Sequence, residues 1–228
     1  MPVFFESLLS KLQDKGLYIL GKFPVDADET VLPDAPAQPA EIAIVGNVGS
    51  SIWSTFEAQR RQQPDLTLDR WTKETIDGIF GPLGIRTLYP FEGPPYWPFT
   101  QWAKRTGNLF SSPIGITIHP TYGLWHAFRA ALLFERSSDF DDCPRSESEN
   151  PCDTCADRPC LNTCPVAAFS ERGYDFGACL DHIATPSNAC RQGACLARAA
   201  CPIGRQYHYE QEHAAFHMHE LLKAHGKA

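Results

Sequence analysis

GITIHPTYGLWHAFRAALLF, residues 115–134, carries the two-residue alternation of a strand: Leu124, His126, Phe128, Ala130, Leu132 and Phe134 fall on one face. A strand fits this run, although its alanines also tolerate a helix. An apolar strand ending in Ile118-His119-Pro120 precedes it. Upstream, Phe4, Phe5, Leu8, Leu9 and Leu12 share one helical face, with Pro2 as a start and Gly16 as a stop. LYILGKF (17–23) and EIAIVG (41–46) read as strands on either side of a proline-rich, acidic loop at 26–39. A glycine turn from Gly46 to Ser51 leads into a helix carrying Ile52, Trp53 and Phe56. Its amides are read either as ordinary turn chemistry or as an anion cradle.

A second helix is expected over 68–82, using Leu68, Trp71, Ile79 and Phe80, followed by a strand at 85–91. Residues 94–107 place Tyr96, Trp97, Phe99 and Trp102 among three prolines. Such a stretch either lines a flat organic ligand or forms a packed loop over a sheet face. Beyond Ile203 the chain reads as helical, with Phe216, Leu221 and Leu222 as apolar anchors. His213 and His217 are spaced for a metal, but Ala214 stands where a zinc protease motif has glutamate, so a solvated face is expected.

Residues 150–204 hold eight of the nine cysteines, as Cys152-x2-Cys155-x4-Cys160-x3-Cys164-Pro165, a lone Cys179, then Cys190-x4-Cys195-x5-Cys201-Pro202. Eight thiols suit two [4Fe–4S] clusters, because each cubane needs four soft sulfurs and a closely spaced trio supplies three. In two-cluster ferredoxins the cysteine before proline ligates the other cluster. Crossing the ligands gives Cys152, Cys155, Cys160 and Cys201 as one set, and Cys164, Cys179, Cys190 and Cys195 as the other. The second gap of four residues departs from the common Cys-x2-Cys-x2-Cys run. Structural zinc prefers Cys-x2-Cys pairs, which only Cys152 and Cys155 provide. A disulfide framework needs an oxidising compartment, yet Glu6 and Lys11 interrupt the apolar stretch a signal peptide requires. Cys143, after Asp141 and Asp142, reads as a spare thiol in a linker.

The chain of 228 residues has a net charge of −7, 43% hydrophobic residues and no apolar run of about 18 residues. A cytoplasmic protein with no membrane span is expected, and the acidic balance argues against a nucleic-acid partner. The length suits a main domain with a cluster-bearing appendage.

Residues 116–133, an apolar strand ending in Ile-His-Pro followed by Tyr122, Gly123, Trp125, Ala127 and Arg129 and a second apolar strand, resemble the vitamin B12 processing proteins of the cobalamin C type. The cysteine segment resembles the ferredoxin module of the epoxyqueuosine reductases, whose lone cysteine corresponds to Cys179. The resemblance implies an α+β fold: a nitroreductase-like core with a mixed or antiparallel sheet and flanking helices over 1–140, then a small helical two-cluster domain over 141–228. It implies a corrinoid, cobalamin, or alternatively the flavin FMN, over the sheet beside His119, Tyr122, Trp125, His126 and Arg129. Neither the aspartate context nor the helical repeats of epoxyqueuosine reductases are present.

The resulting expectation is an iron–sulfur oxidoreductase passing low-potential electrons from two clusters to a bound corrinoid, with a redox partner protein as donor. The alternatives are a ferredoxin-like electron carrier and a flavin-dependent iron–sulfur reductase. No residue is assigned a catalytic role.

Overall fold

The computed structural model describes residues 2–33, 37–138, 149–170 and 173–227. Cys143 lies outside the described residues. In chain order the elements are α1 (Pro2–Gln13), β1 (Leu17–Pro24), β2 (Glu41–Val48), α2 (Trp53–Gln62), α3 (Leu68–Phe80), β3 (Arg86–Leu88), α4 (Phe99–Arg105), β4 (Phe110–Ser111), β5 (Thr117–Ile118) and β6 (His126–Phe134). There follow α5 (Pro159–Asn162), β7 (Phe169–Ser170), β8 (Gly173–Tyr174), α6 (Phe176–Ala184), α7 (Ala189–Gln192), α8 (Leu196–Ala199) and α9 (Gln211–Ala224). Two compact units emerge, the first from residues 1–108 and 127–147, the second from residues 109–126 and 148–228.

The first unit is built on a four-stranded sheet of order β1-β2-β6-β3. β1 runs antiparallel to β2, from Leu17 opposite Asn47 to Pro24 opposite Glu41, and its register slips between Ile19 and Gly21. β3 runs antiparallel to β6, Arg86 facing Leu133. Ile42, Ala43, Ile44 and Val45 are all shut off from solvent, as are Ala130, Ala131 and Leu132. The two central strands are thus covered on both faces, which is why single-face alternation describes β6 incompletely. On one face Phe99 and Trp102 of α4 pack with Phe23, Ile42, Ile44, Leu88, Ala131 and Leu133. The aromatic stretch therefore covers the sheet, as a helix where a packed loop was one expectation. Residues of the opposite parity face α1, where the Phe5 and Phe134 rings meet at 6.2 Å.

α3 stops at Phe80 and not at 82, because Gly81 and Pro82 turn the chain into a short 3-10 segment, Gly81–Leu83. Strand β3 is shorter than expected; Tyr89, just beyond it, is buried and its hydroxyl donates to Asp77 Oδ1 at 2.7 Å. Gly46 belongs to β2, where a Cβ would lie 2.4 Å from the Ala127 carbonyl oxygen of β6. The turn after it is internally satisfied: Asn47 Nδ2 donates to Gly49 O at 2.8 Å, and Ser51 Oγ accepts from Val48 N and donates to Gly16 O. That is turn chemistry, and it engages the Val48 amide, while Ser51 N donates to Val48 O at 3.2 Å.

The second unit contains the β4–β5 pair, Phe110 facing Ile118, and a tight hairpin bridged by His119 and Gly123. Ile114, Ile118 and Leu124 pack with Cys160 and Cys201, so residues 109–126 fold with the cysteine segment. The expected division at 140 left that excursion in the first part; its apolar side chains bind it to the second. Leu180, Ile183, Cys190 and Leu222 form the other apolar centre, between α6, α7 and α9. Among the described residues no helix is long and apolar enough to cross a membrane.

Candidate functional site

The eight described cysteines are free thiols, and they divide between two cavities of the second unit. Cys152, Cys155, Cys160 and Cys201 line a cavity of about 190 Å³, together with Pro202. Cys164, Cys179, Cys190 and Cys195 line another, of about 80 Å³, together with Pro165. Each cysteine that precedes a proline thus sits with the run to which it does not belong in sequence. Proline ends the loop and lacks an N–H, so the chain turns away at that sulfur. Among the described residues no group of three or more histidine, cysteine, aspartate or glutamate side chains is placed to hold a metal ion.

The electrostatics follow from crowding sulfurs in apolar surroundings. Burial, reinforced by Cys201, Cys160 and Cys155, pushes the Cys152 thiol up to about 11. Burial raises Cys160, Cys190, Cys195 and Cys201 as well. Against this, backbone amides are aimed at the sulfurs: those of Cys160 and Leu161 at Cys160, Leu196 at Cys190, Ala197 and Arg198 at Cys195, and Ile203 at Cys201. Ala168 N donates to Cys164 Sγ at 3.3 Å. Ala167, which precedes that donor, adopts φ +47, a left-handed conformation that costs a residue with a Cβ about 1 kcal/mol. Arg158, beside the first cavity, is similarly strained at φ +37. Hydrogen-bond donors at sulfur favour thiolates, which four neighbouring buried thiols become together only with a positive group among them.

The hairpin places four of the five residues expected at an organic cofactor in the second unit. Thr121 N and Tyr122 N donate to His119 Nδ1 at 3.0 and 3.3 Å, so the ring proton of the neutral form lies on Nε2. Burial holds His119 down to about 4. His119 is therefore a neutral donor, ill suited to ligate cobalt through Nε2. Its ring stacks on Tyr122 at 4.2 Å. His126 Nε2 lies 2.9 Å from Thr117 Oγ1, and burial, then His119 and Arg198, push it down to about 3. Trp125 is buried, with the Arg198 guanidinium 4.4 Å over its ring and His208 against it at 4.3 Å. Arg198 also donates to Leu124 O at 2.9 and 2.6 Å.

Arg129 belongs to the first unit. It is buried there and donates from Nε to Asn47 Oδ1 at 2.8 Å. On α9 the solvated face holds for His219 only. His213 is fully buried, stacked on Tyr209 at 4.2 Å, with its Nε2 3.1 Å from His217 Nε2. Sequence reasoning also missed Tyr174, which lines the second cavity with Cys179. Nothing in its spacing marks a lone tyrosine five residues before a cysteine.

No family model matches the chain, and no curated protein matches it. Among solved structures it is similar to the crystal structure of a B12-trafficking protein CblC from C. elegans, a human MMACHC homologue. The TM-score is 0.54 at 12% identity, over 95% of this chain and 92% of that one. The likeness concerns the fold: a mixed α+β protein with an antiparallel sheet and flanking helices. It extends well past residue 140, into the cysteine-rich part.

Proposed function

We propose that this chain is an iron–sulfur oxidoreductase of B12 processing, in which two clusters serve a bound corrinoid. The observation that carries the reading is the four-and-four division of the cysteines about two cavities, with Cys164 and Cys201 exchanged between the runs. Four thiols spread round a cavity suit a group with volume of its own, whereas a zinc ion wants its sulfurs within about 2.3 Å of one point. Cys152, Cys155, Cys160 and Cys201 would hold one [4Fe–4S] cluster, and Cys164, Cys179, Cys190 and Cys195 the other. When bound, the clusters supply low-potential electrons one at a time and the corrinoid supplies a cobalt centre that accepts them.

The chain's own residues have defined tasks. Backbone amides of residues 196–198 stabilise charge on Cys190 and Cys195. Ile114, Ile118 and Leu124 keep water from Cys160 and Cys201. His119 offers a neutral Nε2–H, and the flat pair it makes with Tyr122 suits the amide-fringed rim of a corrin. The corrinoid assignment is supported by the fold shared with a B12-trafficking protein. A reducing compartment such as the cytoplasm fits eight free cysteines.

The test is anaerobic purification followed by iron and sulfide analysis and addition of hydroxocobalamin. About eight iron and about eight acid-labile sulfide per chain are expected, with a shift of the corrin bands to the form whose lower base is displaced. Zinc without sulfide overturns the cluster reading. A recovered flavin with no corrin shift transfers the site to FMN, and neither ligand leaves an electron carrier.

A further inference from the structure

We infer that His213 and His217 form a site for one divalent transition ion of the nitrogen-preferring kind, such as zinc, and that this site does not depend on the cluster reading. The two rings stand one helical turn apart on α9, and their Nε2 atoms converge to 3.1 Å. That separation suits two ligands of a single ion. Zinc bonds imidazole nitrogen at about 2.0–2.1 Å, and two such bonds closing on a 3.1 Å edge enclose an angle of about 100°, between the octahedral and tetrahedral values. Neither ring lines a cysteine cavity.

The pair is held in place before any ion arrives. His213 is fully buried, its ring stacked on Tyr209 at 4.2 Å with 17° between the planes. His217, half-buried, lies 4.8 Å from His213, and the Phe216 ring meets it at 5.6 Å. Rings fixed in this way lose little rotamer freedom on binding. Their 3.1 Å contact is a hydrogen bond in which one Nε2 donates and the other accepts. An ion takes the place of that proton, which moves to Nδ1 of its own ring. Both Nε2 lone pairs then face the ion, and no net proton is released.

Charge and donor count set the character of the site. α9 and its cap carry Glu210, Glu212 and Glu220 against Lys223. The Arg198 guanidinium, 4.6 Å over the Tyr209 ring, opposes a cation, so the two coordinate bonds and not the local field hold the ion. Imidazole donors favour zinc, copper and nickel over magnesium and calcium. Among the described residues no third histidine, cysteine, aspartate or glutamate completes the group, so water fills the remaining positions and the ion exchanges. Ala214 supplies no carboxylate beside the first histidine, and the site therefore lacks the general base of a zinc hydrolase.

The test is equilibrium dialysis of the full, anaerobically purified chain against micromolar Zn2+, followed by zinc analysis and zinc-edge X-ray absorption. About one zinc per chain is expected, with nitrogen and oxygen neighbours at about 2.0–2.1 Å and the outer scattering of imidazole. His217→Ala should lose that zinc. This ring is only half-buried, so its removal spares the fold better than removal of the fully buried His213. His219→Ala, on the exposed face of the same helix, should retain the ion. No bound zinc, a shell made only of sulfur at about 2.3 Å, or full retention by His217→Ala overturns the inference. Iron measured on the same samples reports the cluster reading separately.

Discussion

Gly123 and Gly204 stand back to back. A Cβ on Gly204 would lie 2.6 Å from Gly123 N, and one on Gly123 would lie 2.0 Å from Ile203 O. Both residues have positive φ, +59 and +72. The hairpin that carries His119 and Tyr122 thereby rests backbone to backbone on the chain that leaves Cys201.

Replacing either glycine by alanine forces that contact open. Gly204→Ala should cost about 2–4 kcal/mol, the sum of a left-handed alanine and an overpacked site. Gly84→Ala is the control: φ is +71 there, but nothing lies within 4 Å. It should cost only about 1 kcal/mol. Thermal melting of the three proteins reads the difference, and equal losses would deny the close approach.

The cysteine partition makes separate forecasts for three serine variants. Cys164→Ser removes a ligand from the set of Cys179, Cys190 and Cys195, and Cys201→Ser removes one from the set of Cys152, Cys155 and Cys160. Each should lose about four iron per chain and unsettle the other cluster. Cys143→Ser should keep its full iron. Loss of iron in that variant would show that Cys143 is a ligand.

Stability should fall in mild acid because His126 is buried neutral. Its folded value, about 3, lies below its ordinary 6.5. Between these values the unfolded chain binds a proton that the folded chain refuses, so stability is complete above 6.5 and declines as the pH drops toward 3. The slope is about 1.4 kcal/mol per pH unit, or about 2 kcal/mol between pH 6.5 and 5. Urea unfolding at both pH values, compared with His126→Asn, isolates the contribution. An equally steep loss in the variant would assign the acid sensitivity elsewhere.

Local chemistry made much of this legible. Pro2 and Gly16 bracket α1, whose Leu8, Leu9 and Leu12 are buried as their spacing implies. The two proline-linked cysteines were enough to sort eight thiols into the sets that line the cavities. Long-range packing was not legible. Alternation in residues 124–134 cannot reveal that α4 and α1 cover opposite faces, because both faces of a buried strand are apolar. Nor can it show that Ile114, Ile118 and Leu124 belong with cysteines that follow them much later. His213 reads as a polar residue on an exposed helix, yet the Tyr209 ring stacks on it and the His217 ring lies 4.8 Å away.

The excursion at residues 109–126 also governs the order in which the molecule can be made. Leu124 receives its Arg198 bonds from 74 residues downstream. On the ribosome the hairpin emerges long before its cover, with Ile118, Leu124 and Trp125 bare until the last cysteine has been translated. Loop closure over such a span is slow, and the exposed interval invites misassembly. The cysteine-bearing part is consequently no detachable cassette. A gene fragment beginning after residue 148 lacks one wall of a cavity, and one ending before residue 201 leaves the hairpin without its seat.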